Sequence, residues 1–304
     1  MMDNNMLLSL SCFILFAAMA TCYPPMEDPN LFEGDMILSP DQLERIKKGE
    51  FNRDLPLAAT RHPWPKLIPY DLYGLKTIPK ARKVIEDAFR EYHKYTCLRF
   101  IPRTKEFAYL QFLNGQGCSS MVGYKRGRKN TISLGPICWT KGIAIHEIMH
   151  SLGFHHEQSR PDRDKYIRVI DDNVLSYATD NFIKYGADKV DSLNSPYDFS
   201  SIMHYNATTF AKHGTNAIET LDPTKQKLIG QRIRLSKEDI YQINKLYRCD
   251  EEKWMTTPVI PTLDPNCNDI YPHCDRYKYR CNSSQTDAIT KWVARECKKT
   301  CGLC

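Results

Sequence analysis

Apolar residues recur at helical spacing in two stretches of the chain. Within residues 78–95, Val84, Ile85, Ala88, Phe89 and Tyr92 share one face, which predicts an amphipathic helix packed on a sheet. From Ser236 the pattern S-x-x-D, ending at Asp239, predicts a capped helix start, and Ile240, Ile243 and Leu246 then form a stripe. Strands are expected within residues 66–72, 98–102, 109–113 and 130–134. Strands and helices in this order predict an α+β fold built on a mixed sheet.

A different pattern opens the chain. Residues 6–20 (MLLSLSCFILFAAMA) form an uncharged apolar run that ends in Ala18-Met19-Ala20, a small-x-small cleavage site. The run is shorter than the roughly 20 residues that a bilayer span needs, and Pro24-Pro25 follows at once. Residues 1–20 therefore read as a signal peptide, and the product as secreted and extracellular. No later stretch reads as a membrane span. An acidic segment, 21–54, precedes a long mixed region, 55–250. Residues 251–266 (EEKWMTTPVIPTLDPN) carry three prolines and no periodicity, the signature of an extended linker. A cysteine-rich unit, 267–304, follows.

Composition narrows the class. Hydrophobic residues at 42% and charged residues at 26% exclude a disordered chain and a polytopic membrane protein. A net charge of +6 over 304 residues is too small an excess to point to a nucleic-acid partner. Twelve cysteines point to an oxidising compartment. Cys12 lies in the signal run and Cys22 in the acidic segment. The rest divide into Cys97, Cys118, Cys138 and Cys249, then Cys267, Cys274, Cys281, Cys297, Cys301 and Cys304. Both sets are even, as two modules each closed on itself require.

The densest chemistry lies in residues 142–164, GIAIHEIMHSLGFHHEQSRPDRD. His146 and His150 are four apart, so on a helix they stand on one face and can reach one tetrahedral ion. Glu147 is placed to take a proton from metal-activated water rather than to bind the metal. Gly153 falls where the helix ends, since glycine accepts the left-handed conformation that turns the chain. The chain then offers His155 or His156 as third ligand; the spacing HExxHxxGxxH selects His156 and leaves His155 a neighbour. Three ligands leave a position open for water, the mark of a catalytic zinc site.

HExxHxxGxxH followed by Glu157 and RPDRD at 160–164 resembles the astacin family of metzincin metallopeptidases. Ser201-Ile202-Met203-His204-Tyr205 is similar to the family's Met-turn, and the resemblance covers roughly residues 55–249. It implies a two-lobed metzincin catalytic domain with a zinc helix. It also implies one Zn2+ on His146, His150 and His156, and endopeptidase activity on proteins or peptides with Glu147 as general base and acid. By the same resemblance Met203 is an apolar floor beneath the zinc. Tyr205 is a fifth ligand that swings away to stabilise the oxyanion. The expected disulfides are Cys97–Cys249 and Cys118–Cys138, and an edge strand within 118–135 pairs with an extended substrate.

Phe32-Glu33-Gly34-Asp35 fits the FxGD pattern of astacin propeptides. The resemblance makes residues 21–54 a propeptide and Asp35 the zinc ligand of a zymogen. It implies that the amino terminus created by trimming is buried against Glu157; counting back from Trp64 suggests a terminus between Asp54 and Ala59, and Arg53 offers a trypsin-like site to an activating protease. Residues 267–304, as C-x6-C-x6-C-x15-C-x3-C-x2-C, resemble the ShK-type (ShKT) domain of sea-anemone channel toxins. Too short for a self-sufficient core, such a module depends on its disulfides. The pairings implied are Cys267–Cys304, Cys274–Cys297 and Cys281–Cys301. Its expected partner is an extracellular docking site, or an ion channel met by Lys291-Trp292. In that second case the chain would be a venom-type component acting mainly through channel binding. Asn206 and Asn282 head N-glycosylation sequons.

Overall fold

The computed structural model describes residues 28, 30–38, 63–186 and 191–249. The signal run, the linker and residues 267–304, with the three disulfides expected there and with Asn282, lie outside the described residues, as does most of 21–54.

Six strands make the main sheet: β1 (Met36–Ile37), β2 (Leu67–Asp71), β3 (Arg99–Pro102), β4 (Leu110–Leu113), β5 (Cys118–Met121) and β6 (Asn130–Leu134). Their order across the sheet is β1-β5-β6-β4-β2-β3. β2 pairs in parallel with β3 and β4, and β4 with β6, whereas β5 runs antiparallel to β6. The sheet is therefore mixed. Parallel neighbours need a crossover, and helix α1 (Pro79–Tyr95) supplies the one between β2 and β3. Pro79 opens α1, where a missing N–H costs nothing. Ala81, Ile85, Ala88, Phe89 and Tyr92 face the sheet, and the Phe89 ring stacks on Phe100 at 4.4 Å between centroids.

Helix α2 (Lys141–Ser151) lies across this layer and is buried from Gly142 to Ser151. The Thr140 hydroxyl caps it by accepting from the Ile143 amide at 3.3 Å. At Gly142 a Cβ would meet the Arg232 carbonyl oxygen at 1.7 Å, so only glycine fits that approach. Beyond Gly153 the chain is irregular, with short 3-10 turns and a two-stranded sheet of β7 (Ile167–Val169) and β8 (Ile218–Thr220). A second apolar cluster, which includes Ile167, Phe182, Tyr197, Tyr205 and Ile218, holds this lower lobe. Helix α3 (Lys237–Leu246) returns to the first core through Ile243. Its start is a capping box in which Ser236 and Asp239 satisfy each other's backbone amides.

Two disulfides tie this region, Cys97 to Cys249 and Cys118 to Cys138. Among the described residues, no helix is long and apolar enough to cross a membrane.

Candidate metal centre and active site

Helix α2 carries His146 and His150 one turn apart, with Glu147 next to His146. Past Leu152, Gly153 adopts φ +109°, a value that suits glycine, and donates to the His150 carbonyl at 2.8 Å. The chain doubles back and brings His156 to the same point. The Glu157 amide, donating to the Met203 carbonyl at 3.1 Å, fixes that return against the Ser201–Tyr205 turn.

Asp35, from the segment just before β1, completes the group. Ligand atoms of Asp35, His146, His150 and His156 lie within 4.8 Å of one another, and all four residues are buried. Asp35 Oδ2 is 3.0 Å from His146 Nε2 and 3.1 Å from His156 Nε2. Asp35 Oδ1 is 3.2 Å from His150 Nε2, and among the described residues neither of these two atoms has a hydrogen-bond partner.

The outer nitrogens explain the geometry. His146 Nδ1 donates to the Ile202 carbonyl at 2.8 Å, and His150 Nδ1 to the Phe154 carbonyl at 2.7 Å. His156 Nδ1 donates to Glu33 Oε2 at 2.7 Å. With the proton on Nδ1, each Nε2 presents a lone pair inward. The Nε2 atoms of His146 and His156 stand only 3.4 Å apart. Lone pairs that converge beside a carboxylate repel one another unless a cation lies between them, so the donor set fits a zinc ion. The electrostatics agree. Burial acts to raise the Asp35 pKa, but His156, His150 and His146 outweigh it and hold the carboxyl well below its usual range. Burial also opposes charge on His156, yet Asp35 and Glu33 push that imidazole up to about 9. The two buried carboxylates thus favour positive charge at His156, whether a proton or a cation at Nε2 supplies it.

The remaining site residues surround this centre. Glu147 is buried beside His146. The Met203 side chain is buried in the turn beneath α2. Tyr205 packs its ring 4.6 Å from His156 and donates its hydroxyl to the Glu33 carbonyl at 2.6 Å. Glu157 accepts from Arg160 at 3.0 Å and from the Asp198 amide at 2.8 Å. Burial pushes its carboxyl up to about 8 against the pull of Arg160. A cavity of about 220 Å³, lined in part by Met149, Glu157, Arg160, Ser201 and Met203, lies beside it. His155 stays outside the four-residue cluster, its Nδ1 3.3 Å from the Tyr185 hydroxyl. Half-buried Asn206 accepts from the amide and hydroxyl of Thr208 at 2.8 and 2.9 Å.

β1 pairs in parallel with β5, the Ser120 amide donating to the Asp35 carbonyl at 2.8 Å. The edge of the sheet beside the metal centre is thereby covered by the chain's own segment. Sequence reasoning did not single out Glu33, Ser159 or Tyr185, which meet only in the folded chain; the one signal was Glu33's place inside FEGD.

Residues 57–248 match the Astacin peptidase family, and residues 266–304 match the ShK domain-like family. Protein SpAN of Strongylocentrotus purpuratus is 39% identical over 73% of this chain, which spans 38% of SpAN's length. Zinc metalloproteinase nas-4 of Caenorhabditis elegans is 40% identical over 73% of this chain and 71% of its own. The solved structure of high choriolytic enzyme 1, a hatching enzyme zinc-protease from Oryzias latipes, superposes with a TM-score of 0.56 at 38% identity. That superposition covers 60% of this chain and 90% of the hatching enzyme. On the matched domain, the three-histidine centre and these relatives, the chain belongs to the astacin family of zinc metallopeptidases and carries a ShK-like domain.

Proposed function

We propose that the chain is a secreted zinc endopeptidase made as a zymogen. The observation that carries this reading is the Asp35 carboxylate set among three inward-facing imidazoles, on a segment that also occupies the edge of β5. His146, His150 and His156 would hold the zinc, with Asp35 as the further ligand of the latent form. When bound, zinc supplies a Lewis acid that polarises a peptide carbonyl and acidifies water.

The chain's own groups do the rest. Removal of the segment around Asp35 frees the β5 edge, whose backbone then aligns an extended peptide by strand addition. Glu147, buried next to His146, takes the proton of the attacking water and returns it to the leaving amine. The Tyr205 hydroxyl, released from the Glu33 carbonyl, donates to the oxygen on which negative charge develops. Met203 floors the centre. The cavity beside Glu157 would receive the amino terminus that trimming creates, and a buried carboxylate there suits an ammonium partner. With residues 57–248 matched to a peptidase family, channel binding is not favoured as the main activity. The ShK-like domain instead suits docking to an extracellular partner.

The test is cleavage of a quenched peptide library by the intact chain and by the chain after limited trypsin treatment, each beside a Glu147→Gln control. Activity that appears only after trimming, and only with Glu147, is expected. Silence in a folded, zinc-loaded, trimmed sample would overturn the enzyme reading.

A further inference from the structure

The side chain of Glu33 is held as closely as that of Asp35 in the segment that reaches the metal centre. It is 1% exposed. Its Oε1 accepts from the Tyr185 hydroxyl at 2.6 Å and from the Ser159 hydroxyl at 3.0 Å, and its Oε2 accepts from His156 Nδ1 at 2.7 Å. Ser159 and Tyr185 are themselves tied together, the Tyr185 amide donating to the Ser159 carbonyl at 2.9 Å. The three donors thus form a fixed cradle that matches a carboxylate.

Glu33 and Gly34 adopt φ +45° and +79°. This unusual pair of left-handed residues lets two carboxylates two positions apart grip opposite edges of one imidazole. Asp35 meets His156 at Nε2, and Glu33 meets it at Nδ1. The other two imidazoles are oriented by carbonyls of the catalytic region, Ile202 and Phe154, whereas His156 takes its orienting acceptor from Glu33. The second position of FxGD, which the pattern leaves open, is occupied here by a residue with as many buried contacts as the aspartate.

We propose that Ser159, Tyr185 and the Nδ1 edge of His156 form a carboxylate-binding cradle, and that Glu33 fills it as a second latch of the latent chain. Glu33 is a positioning residue for His156, and Asp35 alone does not account for the hold. The inference rests on the reading of residues 21–54 as a propeptide. A buried hydrogen bond to a charged group is worth enough that its loss moves a local equilibrium about tenfold or more.

The test uses the intact, zinc-loaded chain and its Glu33→Gln, Asp35→Asn, Tyr185→Phe and Glu33→Gln/Tyr185→Phe variants. Hydrogen exchange at the Met36 and Ser120 amides, which pair the segment to itself and to β5, reports release of the segment without reference to activity. Zinc content and far-ultraviolet dichroism verify that each variant is folded and loaded. Glu33→Gln is expected to speed exchange about tenfold or more, with Tyr185→Phe adding little on top of it, as partners in one contact require. Exchange unchanged by Glu33→Gln but accelerated by Asp35→Asn would overturn the second latch and leave the zymogen reading standing. Exchange unchanged by either would overturn both. On the trimmed chain, a synthetic peptide of residues 30–38 should inhibit at least about tenfold more strongly than the same peptide carrying Glu33→Gln. Equal inhibition would contradict the cradle.

Discussion

The Tyr205 hydroxyl donates a 2.6 Å hydrogen bond to the Glu33 carbonyl, so on the proposed reading the pro-segment holds the donor that the reaction needs. Two states of one side chain follow, one bound to the latent segment and one facing substrate. Tyr205→Phe is expected to lower kcat of the trimmed enzyme by about 10²-fold, the usual cost of one oxyanion donor, with little change in KM. In the intact chain the same change should loosen the segment. Steady-state kinetics on trimmed material checks the first effect, and an unchanged kcat would remove Tyr205 from the mechanism.

Glu147→Gln keeps the shape of a buried side chain on α2 and removes its basicity. Peptide hydrolysis should fall by about 10²- to 10⁴-fold, the range of general acid–base catalysis. Zinc content and thermal midpoint should stay close to wild type, because the metal ligands are His146, His150 and His156 on this reading. Loss of zinc in the variant would make Glu147 a structural residue instead.

Asp35→Asn should leave the three imidazoles in place and remove the carboxylate set among them. The intact chain is then expected to hydrolyse peptides without trypsin treatment. The comparison is the ratio of activity before and after trimming, large in the wild type and close to one in the variant. A variant that stays latent would move the inhibition elsewhere.

How much of this could be read from the sequence depended on how local each signal was. The α1 stripe and the Ser236–Asp239 capping box are periodic or adjacent features, and the structure places helices at Pro79–Tyr95 and Lys237–Leu246. Helix α2 is buried on all sides, so it shows no amphipathic period, and only the spacing of His146 and His150 marked it. Strand β5 (Cys118–Met121) reads C-S-S-M, buried at its first three positions, so it has no apolar alternation to mark it; only the family resemblance pointed to it. Strands of three residues, such as β7 and β8, are too short to carry a period. The site divides in the same way. His146, His150 and His156 sit within eleven residues, whereas Glu33 meets Ser159 and Tyr185 across separations of 126 and 152. Serine and tyrosine carry no metal-site signature of their own, so nothing short of the fold could join them.

His93, behind the sheet, predicts acid sensitivity. Its Nε2 accepts from the Phe100 amide at 2.9 Å, which requires the neutral ring. Burial, with Arg99 and Arg90 nearby, pushes its pKa down to about 3. In the unfolded chain an imidazole takes up a proton near pH 6.5. Between about pH 6.5 and 3 the unfolded state therefore binds the extra proton, and stability falls as pH falls, by about 1.4 kcal/mol per unit. The contribution is complete above about pH 6.5. Denaturant unfolding at several pH values checks this, and His93→Gln should flatten the slope over that window. A slope unchanged in the variant would assign the acid sensitivity to other groups.

On the proposed reading one zinc ion sits on His146, His150 and His156, with Asp35 as its additional ligand in the latent chain. X-ray absorption at the zinc edge of the intact, zinc-loaded chain tests it most directly, repeated on Asp35→Asn and on trimmed protein. One zinc per chain is expected, bound by three imidazole nitrogens and a carboxylate oxygen at about 2.0–2.2 Å, with the carboxylate signal lost in the variant and after trimming. A folded chain that binds no zinc, or a spectrum that trimming and Asp35→Asn leave unchanged, would contradict it.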